Sequence, residues 1–571
     1  MGVGLSYEGH AQARRRRIRS RRLRAGALAA SAAVGLAAGL IVATTGGPDV
    51  HRLVSTYLAA WRRGDYTRMY SLLDPSSRRE LTEPQFFADY RDAAGTATLL
   101  SVRMLRQRDE QGSIVPVLMA VRTIAFGSLR QTLLVPVEVS GAKAAIHFGQ
   151  TLLFPGLRPG ERLSRTLVLA PRGAILARDG TPLAEGPNRT SPIPGVAAGI
   201  VGLLGPIPSD QAAVYRAQGY PPDAKVGLDG LERVFQAQLA GTPGGTLRAG
   251  DRVLAATAPR PGTTVRTTID PAVEQAAISA LGSSYGGIAA MDPRTGAVLA
   301  LVGLAFSDVQ PPGSTMKIIT STAALQAGLV KLSTTFPVAT QATIDGYTLH
   351  NASGEACGGT LLNAFAVSCN SVFAPLGARL GAQRLVAMAV RFGFDQPPTI
   401  AGAAESEIPS ASTIGDALAV GSSAIGQGRV QASALEMTDV AATIAMQGRR
   451  PEPTLLYGQP PRFVTVTSPQ VAAEVQQMML AVVENGTGTA AQISGVSVAG
   501  KTGTAELIDT GNNPSSSTAN SAKNTDAWFV GYAPAGAPRI AAGALFPNQG
   551  FGGGIAAPAV REVLLAGLHG S

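Results

Sequence analysis

Apolar positions at Leu53, Tyr57, Leu58 and Trp61 recur with helical spacing, and Gly64 ends the run. Asp65 can cap a second helix reaching Leu73, and Thr82-Glu83-Pro84-Gln85 is a capping box with Pro inside the first turn of a third. The period then changes to two, and strands are expected at Thr98–Leu105, Ile114–Ile124, Gln131–Val139 and Ala144–Phe154. Three short helices followed by a strand meander predict a small α+β domain over 49–155.

The next stretch, 156–266, is rich in Gly and Pro with short strands. Arg172 to Gly180 reads as a strand and then a turn, and Gly227-Leu228-Asp229-Gly230-Leu231-Glu232 opens a helix that stops at Gly241. A further domain is expected over 267–571. It begins with apolar strands Gly287–Met291 and Ala297–Val302 around a hairpin turn at Asp292–Gly296. Helical patterns dominate from Ser314 to Leu480, and strands return at Val496–Ala499, Ala527–Tyr532 and Arg539–Phe546. Two strands, a helical block and three strands fit an antiparallel sheet flanked by helices, within a multidomain α+β chain.

The N-terminus follows a different rule. Residues 1–24 carry eight Arg and one acid, Glu8, so seven of the ten net positive charges of the 571-residue chain lie there. The uncharged run Ala25–Gly47 is long enough to span a bilayer, since about 20 apolar residues suffice. The arginine excess before it predicts a single-pass anchor with a cytoplasmic tail (1–24), a span (25–47) and everything after it outside the cytoplasm. A cleaved signal peptide is the alternative; the length of the run and the lack of a small-residue cleavage pattern argue against it. With the tail set aside, no basic stripe remains for nucleic acid. Two Cys and five His provide no metal-ligand spacing, so neither metal nor cofactor is expected.

Lysine usage narrows the chemistry. Only six of 48 basic residues are Lys. Where charge alone is needed the chain uses Arg, so a retained Lys marks a place where an amine must lose a proton. Lys317 lies three residues after Ser314, in a Gly-Ser-Thr-Met-Lys run that opens an apolar helix. On a helix the two side chains share a face, and a desolvated amine can serve as base to a serine nucleophile. The spacing alone is weak, because Ser140 and Lys143 match it inside a hairpin turn. Ser368-Cys369-Asn370 adds a hydroxyl for proton relay and an amide to hold a peptide group. Lys501-Thr502-Gly503-Thr504, after apolar Val498-Ala499-Gly500, places a cation and hydroxyls on a strand edge that Gly503 leaves open to close approach.

These three motifs in this order resemble the signature of penicillin-binding proteins and class A β-lactamases. Ile425-Gly426-Gln427-Gly428, Glu484 to Ala490 and Trp528-Phe529-Val530-Gly531-Tyr532 extend the resemblance across roughly 270–565. Arg172-Gly173 paired with Gly230-Leu231-Glu232 resembles the pedestal of class B penicillin-binding proteins, which implies a structural role for Arg172 and Glu232. Residues 49–155 resemble the nuclear-transport-factor-like domain that some of these proteins carry as a spacer. The sequence departs from the family at Gln310-Pro311, where an aromatic often precedes Pro-Gly-Ser.

The resemblance implies a D,D-transpeptidase that cross-links peptidoglycan stem peptides and is acylated by β-lactams. Ser314 would be the nucleophile, Lys317 its base, Ser368 a proton relay and Asn370 the holder of the stem-peptide amide. Lys501, Thr502 and Thr504 would face the substrate carboxylate beside Gly503, and the backbone N–H groups of Ser314 and Thr504 would bind the oxyanion. Expected partners are the stem peptides, the membrane, a membrane-embedded glycan polymerase and other proteins of cell-wall synthesis serving cell shape or division, and no nucleic acid. Cys357 and Cys369, outside the cytoplasm, are expected to pair, the alternative being two buried thiols.

Rival functions conflict with particular features of the chain. A β-lactamase or D,D-carboxypeptidase would resolve the acyl-enzyme with water, but no E-x-x-x-N follows Ser368 in the helical block. A β-lactam-insensitive transpeptidase shares the same motifs and stays open, because spacer domains also occur in insensitive relatives. A sensor would need a cytoplasmic output larger than 24 residues, and a scaffold would have no use for Ser314 and Lys317. A glycan polymerase lacks its acidic motif, and a Ser-His-Asp hydrolase finds too few His in the last 300 residues. The Gly/Asn/Ser-rich segment Gly511–Asn524 reads as a mobile loop.

Overall fold

The computed structural model describes residues 48–506 and 524–569. The expected tail, the expected span and most of the 511–524 segment lie outside the described residues. Among the described residues no helix is long and apolar enough to cross a membrane. The described chain forms two compact units, and both are discontinuous in sequence.

The first unit opens with four helices rather than three: Val50–Arg63, Tyr66–Ser71, Pro75–Glu80 and Glu83–Thr96. Gly64 closes the first with φ 71°, and the capping box at Thr82 opens the last. The unforeseen helix has six residues, too few to show a period, but it carries Pro at its start and the Asp74 carboxylate as its N-cap. Strands Leu99–Gln107, Ile114–Thr123, Ser128–Ser140 and Lys143–Ile146 follow in consecutive antiparallel order. The expected last strand stops at Ile146 because only four residues find partners on the preceding strand. Tyr57, Trp61, Phe86 and Tyr90 fill the core against the sheet, with the two tyrosine hydroxyls 2.7 Å apart. Ser140 and Lys143 face each other across the last hairpin.

The stretch 156–266, expected as one pedestal, is shared between the units. Strands Leu163–Val168, Gly244–Ala249 and Arg252–Thr257 pair into a sheet of the first unit. Residues 170–209 and 223–242 pack with the second. Strand pairing divides the segment, and the composition that marks it as loop-rich carries no pairing information.

The second unit is built on five antiparallel strands. In chain order its main elements are α1 (Pro271–Leu281), β1 (Gly287–Asp292), β2 (Ala297–Gly303), α2 (Lys317–Gln326), α3 (Leu361–Ala366), α4 (Asn370–Leu380), α5 (Ala434–Ala445), α6 (Pro469–Asn485), β3 (Ala499–Glu506), β4 (Thr525–Ala533), β5 (Ile540–Phe546) and α7 (Ala556–His569), with shorter helices and hairpins between them. The spatial order is β2-β1-β5-β4-β3, which leaves β3 at an edge. Alternation explains the layers: on β4, Trp528, Val530 and Tyr532 enter the core shared with α2, α5 and α6, while Ala527, Phe529 and Ala533 enter the core beneath α1 and α7. The strands are buried on both faces, so they read as continuous apolar runs. Within the expected helical block, short hairpins occupy residues 335–360, and Cys357 and Cys369 are joined by a disulfide there.

Candidate active site

Ser314 lies in a 3₁₀ turn, Gly313–Met316, and Lys317 is the first residue of α2. In 3₁₀ geometry residues i and i+3 eclipse, which brings the Lys317 amine 2.9 Å from Ser314 Oγ. Residues 318–325 are buried all round, so the helix is fixed by the core and the amine with it. Gly313 makes the turn possible: its φ is 52°, and a Cβ there would sit 2.8 Å from the carbonyl carbon and oxygen of Thr504. Its N–H donates to Gly426 O at 2.9 Å, and Gly426 in turn has no room for a side chain against Gly313. The Ile-Gly-Gln-Gly run of the sequence is therefore the support beneath the serine turn. Upstream, Gln310 pairs through its backbone with Ala432, so the loop that departs from the family pattern is held by a β-bridge.

Ser368 occupies the tight bend between α3 and α4 with φ 63°. The bend turns both its carbonyl and its hydroxyl toward Lys317, at 2.8 and 3.3 Å, and Asn370 Oδ1 accepts from the same amine at 2.8 Å. Asn370 Nδ2 donates to His350 O at 3.2 Å, which fixes the amide. Asn351, unremarked in the sequence, accepts from Ser371 N and donates to Ala339 O, tying the start of α4 to the neighbouring hairpin.

Lys501 enters from β3 and donates to Ser368 Oγ at 2.9 Å, so one hydroxyl lies within reach of both amines. Both lysines are fully buried. Burial, and then the nearby Lys501 charge, hold the Lys317 amine well below the usual lysine range. Burial alone brings Lys501 down to about 7. Two of the four oxygens around Lys317 are a carbonyl and an amide oxygen, which only accept. A neutral amine gives its two hydrogens to these and keeps its lone pair for the Ser314 hydroxyl.

β3 presents its free edge to the serine turn. Gln427 lies beyond Thr504, with its amide donating to Glu506 O at 3.2 Å and accepting from Glu506 N at 3.1 Å. Glu506 thus turns its backbone groups outward, and by alternation Thr502 and Thr504 do the same. The outward Thr502 carbonyl accepts from Lys501 Nζ at 3.0 Å. The Thr504 amide faces the same edge, against which Gly313 packs.

The two threonines differ in a way the sequence did not reveal. Thr504 is half-buried, whereas Thr502 is buried and its hydroxyl lies 2.5 Å from that of Thr487, a residue fifteen positions earlier.

Away from this cluster, Glu232 is fully buried and receives the Nε groups of Arg172 and Arg189, each at 2.6 Å. Gln236 joins by accepting from Arg172 at 2.9 Å. Arg189 and Gln236 are additions to the pair read from sequence. Among the described residues, one group could place three metal-ligand atoms within 4.8 Å: Asp74, Glu138 and His147 of the first unit. Asp74 is already engaged there, accepting from Ser76 Oγ, Ser77 N and Ser77 Oγ and contacting His147 Nδ1.

Comparison with known proteins places the chain among relatives. Residues 286–565 match the penicillin binding protein transpeptidase domain, and residues 184–267 match the penicillin-binding protein dimerisation domain. The peptidoglycan D,D-transpeptidase PbpA of Mycolicibacterium smegmatis is 34% identical over 371 residues, covering 54% of this chain and 73% of that protein. The penicillin G acyl-enzyme complex of penicillin-binding protein A from M. tuberculosis superposes with a TM-score of 0.56 at 30% identity, over 70% of this chain and 100% of that one. PBP2 of Pseudomonas aeruginosa, in complex with WCK 5153, gives 0.60 at 26% identity, over 71% of this chain and 96% of that one.

Proposed function

This chain belongs to the class B penicillin-binding proteins, and from that membership we propose how its own residues carry out D,D-transpeptidation of peptidoglycan. The reading is carried by one observation: the fully buried Lys317 amine lies 2.9 Å from Ser314 Oγ.

Lys317 takes the Ser314 proton as Oγ attacks the carbonyl of the penultimate D-Ala of a stem peptide. The negative oxygen that forms is held by the N–H groups of Ser314 and Thr504; losing one such donor typically costs about 10²–10³ in rate. Ser368, whose hydroxyl accepts from Lys501 and lies 3.3 Å from the Lys317 amine, relays the proton to the nitrogen of the departing D-Ala. Asn370 holds the stem-peptide amide, and Lys501 with the strand-edge hydroxyls holds the terminal carboxylate. The C–N bond breaks and an ester to Ser314 remains. The amine of a second stem peptide then attacks this ester, loses its proton along the same route, forms the cross-link and returns the proton to Ser314. A β-lactam with a carboxylate beside its strained amide follows the first half of this sequence and stays on the serine.

The same reading places residues 25–47 across the cell membrane as a single-pass anchor with the 1–24 tail in the cytoplasm. The catalytic unit then works outside the cytoplasm, beside a membrane-embedded glycan polymerase that supplies fresh strands. Residues 49–155 serve as a spacer, and Arg172 and Glu232 as structural groups.

Incubation of the full chain with a pentapeptide donor and a labelled acceptor amine tests the reaction. Cross-linked product together with free D-Ala is expected. D-Ala release without cross-link would make the protein a D,D-carboxypeptidase instead.

A further inference from the structure

The hydroxyl of Thr487 has no place in the three sequence motifs, yet it belongs to their hydrogen-bond chain. Lys501 Nζ donates to Thr502 O at 3.0 Å and approaches Thr502 Oγ1 at 3.4 Å. Thr502 Oγ1 lies 2.5 Å from Thr487 Oγ1, and Thr487 Oγ1 can donate to Ala366 O at 3.4 Å. One consistent direction runs through the set: the amine donates to Thr502, Thr502 to Thr487, and Thr487 to the last carbonyl of α3.

Its backbone fixes Thr487 as firmly as its side chain. Thr487 N donates to Ala366 O at 3.1 Å, and a Cβ on the preceding Gly486 would lie 2.3 Å from that same oxygen. On the other side, a Cβ on Gly553 would meet Thr487 O at 2.5 Å. The bend after α6 is thus wedged between α3, which leads into Ser368, and the glycine-rich turn before α7. Unlike buried Thr502, Thr487 is exposed.

We propose that Thr487 is a third hydroxyl of the carboxylate-recognition pocket, sharing with Lys501 and Thr502 the terminal carboxylate of the donor peptide or of a β-lactam. An arriving carboxylate offers a stronger acceptor than a hydroxyl or the distant Ala366 carbonyl, and the Thr487 hydroxyl rotates toward it. Thr502, still an acceptor to Lys501, turns its own hydrogen to the same anion beside Thr504. This rests on the reading of Ser314, Lys317 and Lys501 as the acylation site.

The test measures the second-order rate of Ser314 acylation in the full chain by benzylpenicillin and by its methyl ester, which lacks the anion. Thr487→Val is expected to slow benzylpenicillin by about tenfold or more, the usual range for loss of a hydrogen bond to a charge, and the ester by less than about twofold. Thr487→Ala should show the same selectivity, and Thr487→Ser should stay within about threefold of the parent. In a Thr502→Val background the Thr487→Val change should add less than it does alone, since the two hydroxyls act as a unit. Equal losses on both compounds in the Val and Ala variants would make Thr487 a packing residue and overturn the proposal, as would an undiminished benzylpenicillin rate. If instead the parent chain were not acylated at Ser314 at all, the underlying reading would fail first, an outcome distinct from either of these.

Discussion

The Lys317 amine is 2.9 Å from Ser314 Oγ and 2.8 Å from each of two acceptor-only oxygens, Ser368 O and Asn370 Oδ1. A cation in that position would give its third hydrogen to the serine oxygen, where a base must present a lone pair. Full burial favours the neutral amine.

Replacing Lys317 by Ala should therefore slow acylation of Ser314 by about 10²–10⁴, the range of a lost general base. Arg at the same place should be no better, because guanidinium does not give up its proton near neutral pH. Single-turnover fluorescence with a labelled penicillin measures both.

The pH profile follows from the two amines. Lys317 must be neutral, and burial favours that form by holding its pKa well below the usual lysine range. Lys501 must be charged to hold a carboxylate, and its pKa of about 7 means that the charge is lost as pH rises through neutrality. The acylation rate at low penicillin concentration should fall as pH rises through about 7. At saturating penicillin the falling limb should move upward, because a bound carboxylate stabilises the Lys501 cation. A profile flat through pH 8 at low concentration would remove Lys501 from carboxylate recognition.

Gly313→Ala should injure the site without touching a functional group. The new methyl would sit 2.8 Å from the Thr504 carbonyl on a residue with φ 52°. Either the serine turn or the edge of β3 must shift, and the two oxyanion donors separate. An acylation rate lower by about 10²-fold or more, with little change in melting temperature, is expected; this is the size of one lost oxyanion donor.

Glu232→Ala should act on stability. The carboxylate is fully buried between the Nε groups of Arg172 and Arg189, each 2.6 Å away. Removing it leaves two guanidinium groups facing each other without compensation, which typically costs about 3–5 kcal/mol. A lowered apparent melting temperature is expected, with the folded fraction still acylated at the parent rate. An unchanged melting curve would show that the network is not structural.

Much of this was legible in the chain because the chemistry-bearing residues lie close in sequence where their geometry is local. Ser314 and Lys317 are one 3₁₀ turn apart, Ser368 and Asn370 share one bend, and Lys501 to Thr504 lie on one strand. Four strands of the sheet were equally plain, since strands buried on both faces leave continuous apolar runs; β3, expected at Val496–Ala499, instead runs Ala499–Glu506, because its buried positions include Lys501 and Thr502 and break the apolar pattern. Thr487 was not legible: its hydroxyl meets Thr502 only because the bend after α6 closes against Ala366, and no local pattern encodes that closure. The same holds for Arg189 and Gln236, which reach Glu232 from separate segments. The hairpins within 335–360 and the helix at 75–80 are too short for a period to emerge, and the division of 156–266 between two units depends on strand partners far along the chain.

The most direct test is to label the full chain with a fluorescent penicillin and map the modified peptide by mass spectrometry. One adduct on Ser314, absent from Ser314→Ala and lost on denaturing the protein before labelling, is the predicted result. A stable adduct on any other residue, or hydrolysed penicillin with no adduct, would contradict the assignment of Ser314 and Lys317 as nucleophile and base.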